Sequence, residues 1–299
     1  MIQHFPKTLN RVRDVDFRLP NLSELNDLEA FQLSLGRQND LNLDPNSRQS
    51  LRLRSPLAST GQSLFITPFV TNGASCSTCH SNAGANTSAN VNGNFDTNVE
   101  DLPIQPARLI DPTIPPDGGF ANTPCTGSGG TQPCGNGRFN TPPLVEAADT
   151  GPFFHNNSIN TIEGAVQFYE FGIPASFPAP QFGPSQIQAI AAFLRVINAL
   201  ENIRSATDLE NRALQQTTQA GQAELLELSI AELNDAIEVL TNASLHPVAA
   251  QLLREAIKLD QEAIGNANPD KREQAIREAL CKKLLARADM EIFAFHPCQ

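Results

Sequence analysis

The strongest constraint on this chain is five residues long: Cys76-Ser77-Thr78-Cys79-His80, set in a segment rich in Ser, Asn and Gly. The C-x-x-C-H spacing reads as c-type haem attachment. Two thiols three residues apart can each form a thioether to one vinyl group of a haem. The adjacent His can then bind the iron as proximal ligand. Other chemistries share part of the pattern. A redox dithiol of the thioredoxin kind expects a βαβ setting, which no pattern here suggests. A structural zinc site needs two more close ligands, and the next cysteine, Cys125, sits in a loop rich in Gly and Pro. A disulfide between Cys76 and Cys79 is the remaining alternative.

A covalent haem also accounts for an awkward stretch. Residues 81–140 show little periodicity and much Asn, Gly and Pro. Unstructured runs of this length are unusual inside a compact domain. Loops that fold against the faces and edge of a large prosthetic group need no partner elements.

Charge and length narrow the classes. At 299 residues the chain can hold one large domain or two modest ones. Its net charge of −11, from 21 Lys+Arg against 32 Asp+Glu, argues against nucleic acid and anionic membrane surfaces as partners. No apolar run approaches the 18 residues a membrane span needs. Met1 to Asn10 lacks the basic-then-apolar pattern of an export signal. Haem c is attached outside the cytoplasm, so the chain reads as a mature, trimmed or fragmentary form of a periplasmic or otherwise extracytoplasmic protein. Of six cysteines, Cys125, Cys134, Cys281 and Cys298 remain after the motif. Cys125 and Cys134 bracket a flexible loop that a disulfide could close, and a Cys281–Cys298 pair would pin the C-terminus. Four free thiols are the alternative.

The elements expected from the pattern are helical. Ser23 is a plausible N-cap for a short helix carrying Leu25, Leu28, Phe31, Leu33 and Leu35, stopped by Gly36. Residues 37–57 are polar and broken by Pro, a linker or wrapping arm. A second helix, Ser59 to Phe65, delivers the chain to the haem motif. A further helix over 185–203 starts with a Ser185/Gln188 capping box and shows one face of Ile187, Ile190, Leu194, Ile197 and Leu200. Beyond it the composition turns to Ala, Leu, Glu and Gln. Leu226, Ile230, Leu233, Ile237 and Leu240 form one stripe, Ala249, Leu252, Ala256 and Leu259 a second. Ile276, Leu280, Leu284 and Ala288 form a third, opened by Asn268-Pro269, as His246-Pro247 opens the second. These stripes read as core. The expectation is an all-α chain: an arm (1–56), a cytochrome c-type haem domain with long loops (57–205) and a small antiparallel bundle (206–299).

Three further runs make the pattern more specific: Phe139-Asn140-Thr141-Pro142-Pro143-Leu144, then Thr150-Gly151-Pro152-Phe153-Phe154-His155, then the helix Thr161-Ile162-Glu163 through Tyr169. In this order after C-x-x-C-H they resemble the C-terminal haem domain of the bacterial dihaem cytochrome c peroxidases and their MauG-type relatives, over roughly residues 57–203. Leu25 to Gly36 resembles the segment that follows the first haem domain in those proteins. The resemblance implies that Tyr169 is the sixth iron ligand, as in MauG-type enzymes, where the peroxidases place Met. The two methionines, Met1 and Met290, lie outside the haem segment. A phenolate donor favours oxidised iron and a low potential. His155 falls where the family has a pocket-supporting His, and it could also stand in as axial ligand. The family's F-H-D-G turn reads Phe154-His155-Asn156-Asn157 here, which departs at two positions. The family's Arg after T-P-x-L is replaced by Glu146, leaving Arg138 and Arg108 as the nearest candidates to pair with haem propionates. Glu163 suits the positive N-terminus of its helix.

The function so implied is a haem c oxidoreductase acting on hydrogen peroxide with electrons from a redox partner protein. The single motif corresponds to the six-coordinate haem of two-haem relatives, so either an upstream domain is missing or this haem works alone. One alternative is a monohaem periplasmic electron carrier in which Tyr169 keeps small ligands off the iron. Another is a partner-binding module, with the bundle as docking surface.

Overall fold

The computed structural model describes residues 12, 14–35, 41–68, 74–89, 91–102, 104–113, 117–119, 134–171, 181–293 and 298. The chain is mostly helical, with 60% helix and 6% strand. It divides into two compact units, residues 1–40 and 41–299.

The first unit holds α1 (Leu22–Leu35). Its cap is Asn21 rather than Ser23. The Asn21 side-chain oxygen accepts from the Glu24 N–H at 3.0 Å, and the Glu24 carboxylate accepts from the Asn21 N–H at 2.9 Å. The two orphan donors are thus satisfied reciprocally, a capping box two residues earlier than the Ser would place it. Arg18 grips the same Glu24 and holds its carboxyl down at about 2. Gly36, the expected stop, lies outside the described residues.

In the second unit the order after an irregular arm is α2 (Pro56–Ile66), α3 (Cys76–Cys79), β1 (Asn94–Asp96), α4 (Pro106–Ile110), β2 (Asp117–Gly119), β3 (Cys134–Asn140) and α5 (Ile162–Phe171). Four long helices follow: α6 (Pro184–Ala213), α7 (Gln219–Asn242), α8 (Pro247–Gly265) and α9 (Pro269–Met290). The strands were not expected. They form one sheet in the order β1-β3-β2, with Phe95 opposite Phe139 and Asp96 opposite Arg138 across the antiparallel β1–β3 pair. β1 and β3 each carry one large apolar residue among polar neighbours and β2 carries none, too little alternation to read from sequence.

Helix α6 is the centre of the unit. Ile187, Ile190, Leu194, Ile197 and Leu200 are buried as expected, but so are Ala189, Ala191, Ala192, Phe193, Val196 and Ala199. A helix apolar all round is enclosed on every side. It starts at Pro184, and the Gln186 side chain accepts from the Gly183 N–H at 2.8 Å. It then runs unbroken through the composition change at 206. Helix α2 crosses it at Gly61, where a Cβ would stand 1.9 Å from the Ala189 carbonyl oxygen. Only glycine lets the two backbones approach so closely. Gly61→Ala is therefore expected to lower stability by about 1–3 kcal/mol, the scale of core overpacking. An unchanged denaturation midpoint would count against this crossing.

The bundle is built from α6 to α9, but its seams differ from the expected stripes. On α9 the buried face is Ile276, Ala279, Lys283, Ala286 and Met290, while Leu280, Leu284 and Ala288 are half-buried. On α8, Leu253 and Asp260 take the places expected for Leu252 and Leu259. On α7, Leu226, Leu233 and Leu240 are core, joined by Ser229 and Ala236. The helices have turned so that small and polar residues face inward. Alanines allow close approach, and the polar residues meet one another. Asn268 caps α9 through the Asp270 and Lys271 N–H groups, as its sequence predicts.

The arm wraps. Leu43, Leu51 and Leu53 are buried in the main core, and the Arg54 N–H donates to Met290 O at 2.9 Å while the Ile292 N–H donates to Arg52 O at 2.7 Å. Cys281 and Cys298 form a disulfide, the pairing that pins the C-terminus. The Cys125–Cys134 pairing lies outside the described residues.

Candidate functional site

A helical turn places residues i, i+3 and i+4 on one face. In α3 those residues are Cys76, Cys79 and His80, the last closing the turn with its N–H on Cys76 O at 3.0 Å. The turn is capped by its own side chains, Ser75 N–H donating to Thr78 Oγ1 at 2.8 Å. All three residues face a cavity of about 500 Å³, within the range of small-molecule and cofactor sites.

The Thr141-to-Leu144 run lies alongside and sets the imidazole. Pro142 O sits 3.0 Å from His80 Nδ1. A carbonyl only accepts, so Nδ1 carries the proton and the Nε2 lone pair is left for a ligand. Burial pushes the imidazole down to about 4, against the opposing effect of its backbone hydrogen bonds to Pro142 and Gly84, so it is neutral. The loop after the motif is tied on both sides. Leu144 N–H donates to Ala83 O at 2.8 Å, and Leu43 N–H from the arm donates to the Asn82 side chain at 3.1 Å.

The wall is apolar and comes from five directions: Phe65 on α2, Phe95 and Phe139 across the sheet, Phe153 and Phe154 from the turn, Val166 on α5, and Ile190 and Leu194 on α6. Tyr169 on α5 completes it. Burial, then the nearby Cys76 and Cys79, push its phenol well above the usual range, which puts it within electrostatic reach of both thiols. It makes no hydrogen bond among the described residues. Burial likewise raises Cys76 to about 12 and Cys79 above its ordinary value.

His155 lines the rim, its ring stacked on Phe139 with centroids 3.7 Å apart. The turn that carries it is held by its two asparagines. Asn157 takes the left-handed conformation, φ 55°, that glycine would supply. Asn156 accepts from Ser158 N–H and holds the turn from inside.

The two arginines do not line the cavity. Arg138 stands beside Phe139 on β3 but is exposed and outside the described lining. Arg108 lies half-buried on α4 with its Nε unpartnered among the described residues. No lysine or arginine is among the described lining residues. Ser75, Thr97, Asn140, Thr141 and Thr150 are the neutral polar groups among the described lining residues. Glu146, exposed, stays outside the lining as well; burial, then Glu201, Glu232 and Asp149, raise its pKa. Glu163 is engaged in a two-pronged ion pair with Arg195 of α6, which clamps the start of α5. Sequence reading missed Arg195, Pro142 O and the Phe95–Phe139 pair. Only the last left a trace, as lone aromatics in polar runs.

The donor set distinguishes the chemistries. Among the described residues no group of three or more His, Cys, Asp and Glu side chains is placed to hold a metal ion. The two thiols and the imidazole therefore do not converge on a point, as tetrahedral zinc demands. Haem c asks for less: the thiols meet the ring edge and only the imidazole meets the metal. Reactive redox cysteines have depressed pKa values, whereas both of these are raised. Comparisons with family models, curated proteins and solved structures find no match to this chain.

Proposed function

We propose that this chain is an extracytoplasmic haem c oxidoreductase of the peroxidase/MauG kind. Cys76 and Cys79 would attach the haem, and His80 and Tyr169 would hold its iron. The observation that carries the reading is one helical turn presenting two thiols and a neutral imidazole to an aromatic-walled cavity, whose lining includes a phenol with no hydrogen-bond partner among the described residues. The Cys281–Cys298 disulfide supports an oxidising compartment.

Once bound, the haem supplies one-electron chemistry toward hydrogen peroxide, with a redox partner protein as electron source. The chain's own part is to bind and orient. Pro142 O holds the His80 tautomer, and its hydrogen bond raises the basicity of Nε2. Phe65, Phe95, Phe139 and Leu194 exclude water and lower the local dielectric. Tyr169 supplies a hard anionic donor once its proton is lost. His155 and the neutral polar residues of the lining are left to meet the propionates.

A second reading is an electron carrier with no catalysis of its own. The position of Tyr169 favours it, since a bound phenol would close the sixth site to small ligands. Peroxide added to haem-loaded protein with a reduced donor dye separates the two. Peroxide-dependent dye oxidation at many turnovers supports the enzyme. Reversible reduction by dithionite with no peroxide turnover leaves the carrier.

A further inference from the structure

Polar side chains meet in the core of the bundle, one from each helix: Glu210 on α6, Ser229 on α7, Asp260 on α8 and Lys283 on α9. All four have no solvent exposure. Lys283 is in ion-pair contact with Glu210 Oε1. Ser229 Oγ lies 3.1 Å from the same Glu210 oxygen and 3.4 Å from Asp260 Oδ2. Glu210 Oε2, Asp260 Oδ1 and Lys283 Nζ have no hydrogen-bond partner among the described residues, the Lys283–Glu210 contact being an ion pair.

Proton counting decides the charge state. A serine hydroxyl has one proton and can donate to only one of two carboxylates. With both carboxylates ionised, an oxygen of one would face a Ser229 lone pair, and the cluster would hold a net buried negative charge. Such a charge in a core with no partner is costly. One added proton resolves both problems. Asp260 donates to Ser229, Ser229 donates to Glu210, and Lys283 pairs with Glu210 as an ion. The cluster is then neutral and both hydroxyl protons have an acceptor.

We propose that Asp260 keeps its proton in the folded protein at neutral pH, and that losing it loosens α8 from α6 and α7. The four residues are then a pH-sensitive latch in the bundle. Ser229 from α7 is the hydrogen-bond partner of Asp260, and the charged members of the cluster beyond it are Glu210 from α6 and Lys283 from α9. Burial raises Asp260 to about 7, its Ser229 hydrogen bond opposing. Burial also lowers Lys283, to about 7. A carboxyl raised in the folded state contributes stability in full below its unfolded value, ordinarily 3.8. That contribution fades as pH rises through about 7. Helix α6 links the latch to the cavity wall: Leu194 lies sixteen residues before Glu210, about 24 Å along the helix.

Thermal melts of the full chain at about pH 4.5 and 6.5, a window inside that interval, test the latch. Asp260→Asn is expected to melt near the parent at the lower pH and on the order of 5 °C above it at the higher. The same gap at both pH values overturns the proposal. A second measurement does not depend on the variant folding. Parent protein labelled with carbon-13 aspartate is expected to show the infrared carbonyl band of a protonated carboxyl group at neutral pH. Ionised bands alone would equally overturn it.

Discussion

Protein exported from cells with an active haem c maturation system is expected to carry one haem that survives boiling in detergent, and the Cys76→Ser/Cys79→Ser variant is expected to carry none. Thioether bonds are covalent, so haem stain on a denaturing gel reads them directly. The variant should also lose stability, for a reason independent of colour. It must leave empty, collapse or hydrate an apolar space of about 500 Å³. At about 24 cal/mol per Å³ of residual cavity, the upper limit is on the order of 10 kcal/mol, comparable with the whole net stability of a domain. Water entering from the rim reduces this, but Phe and Leu walls offer it few partners. A large fall in melting temperature on losing both thiols is thus expected. A colourless parent, or a variant that melts with it, would remove the haem from the account.

How much of this was legible depended on whether the determinants are local. Cys76, Cys79 and His80 are read together because one helical turn brings them to one face, and four residues specify a turn. The long periodic helices were legible for the same reason. What failed was the choice of face. Leu280 and Leu284 promised the seam of α9, yet Lys283 and Ala286 form it. The signal for turning a lysine inward is Glu210, seventy-three residues away on another helix. Arg138 failed differently. Its neighbour Phe139 faces the cavity, while the arginine is exposed and outside the described lining. Telling the two apart requires knowing that residues 134–140 are a strand at all. Asn157 shows the reverse case, a residue whose local preference agrees with its place, since asparagine tolerates the left-handed backbone the turn needs.

Tyr169→Phe separates ligation from mere burial, because the two predict opposite signs. The change removes one oxygen and leaves the ring among Phe154 and Phe168. If the phenol only packs there, it is a half-buried hydroxyl with no described partner, and removing it is neutral or mildly stabilising by about 1 kcal/mol. The spectrum of the haem-loaded protein would then not change. If it binds the iron, burial has been arranged for a different purpose. A phenol held protonated well above the usual range in the absence of metal gives up that proton only to a strong cation, so ferric iron gains a selective anionic donor. The variant should then lose its phenolate-to-iron charge-transfer band. Its midpoint potential should rise by on the order of 100 mV, a modest part of the roughly 0.8 V that axial ligands command. An unchanged visible spectrum together with an unchanged potential would return Tyr169 to the wall of the cavity and leave His80 as the iron's one protein ligand.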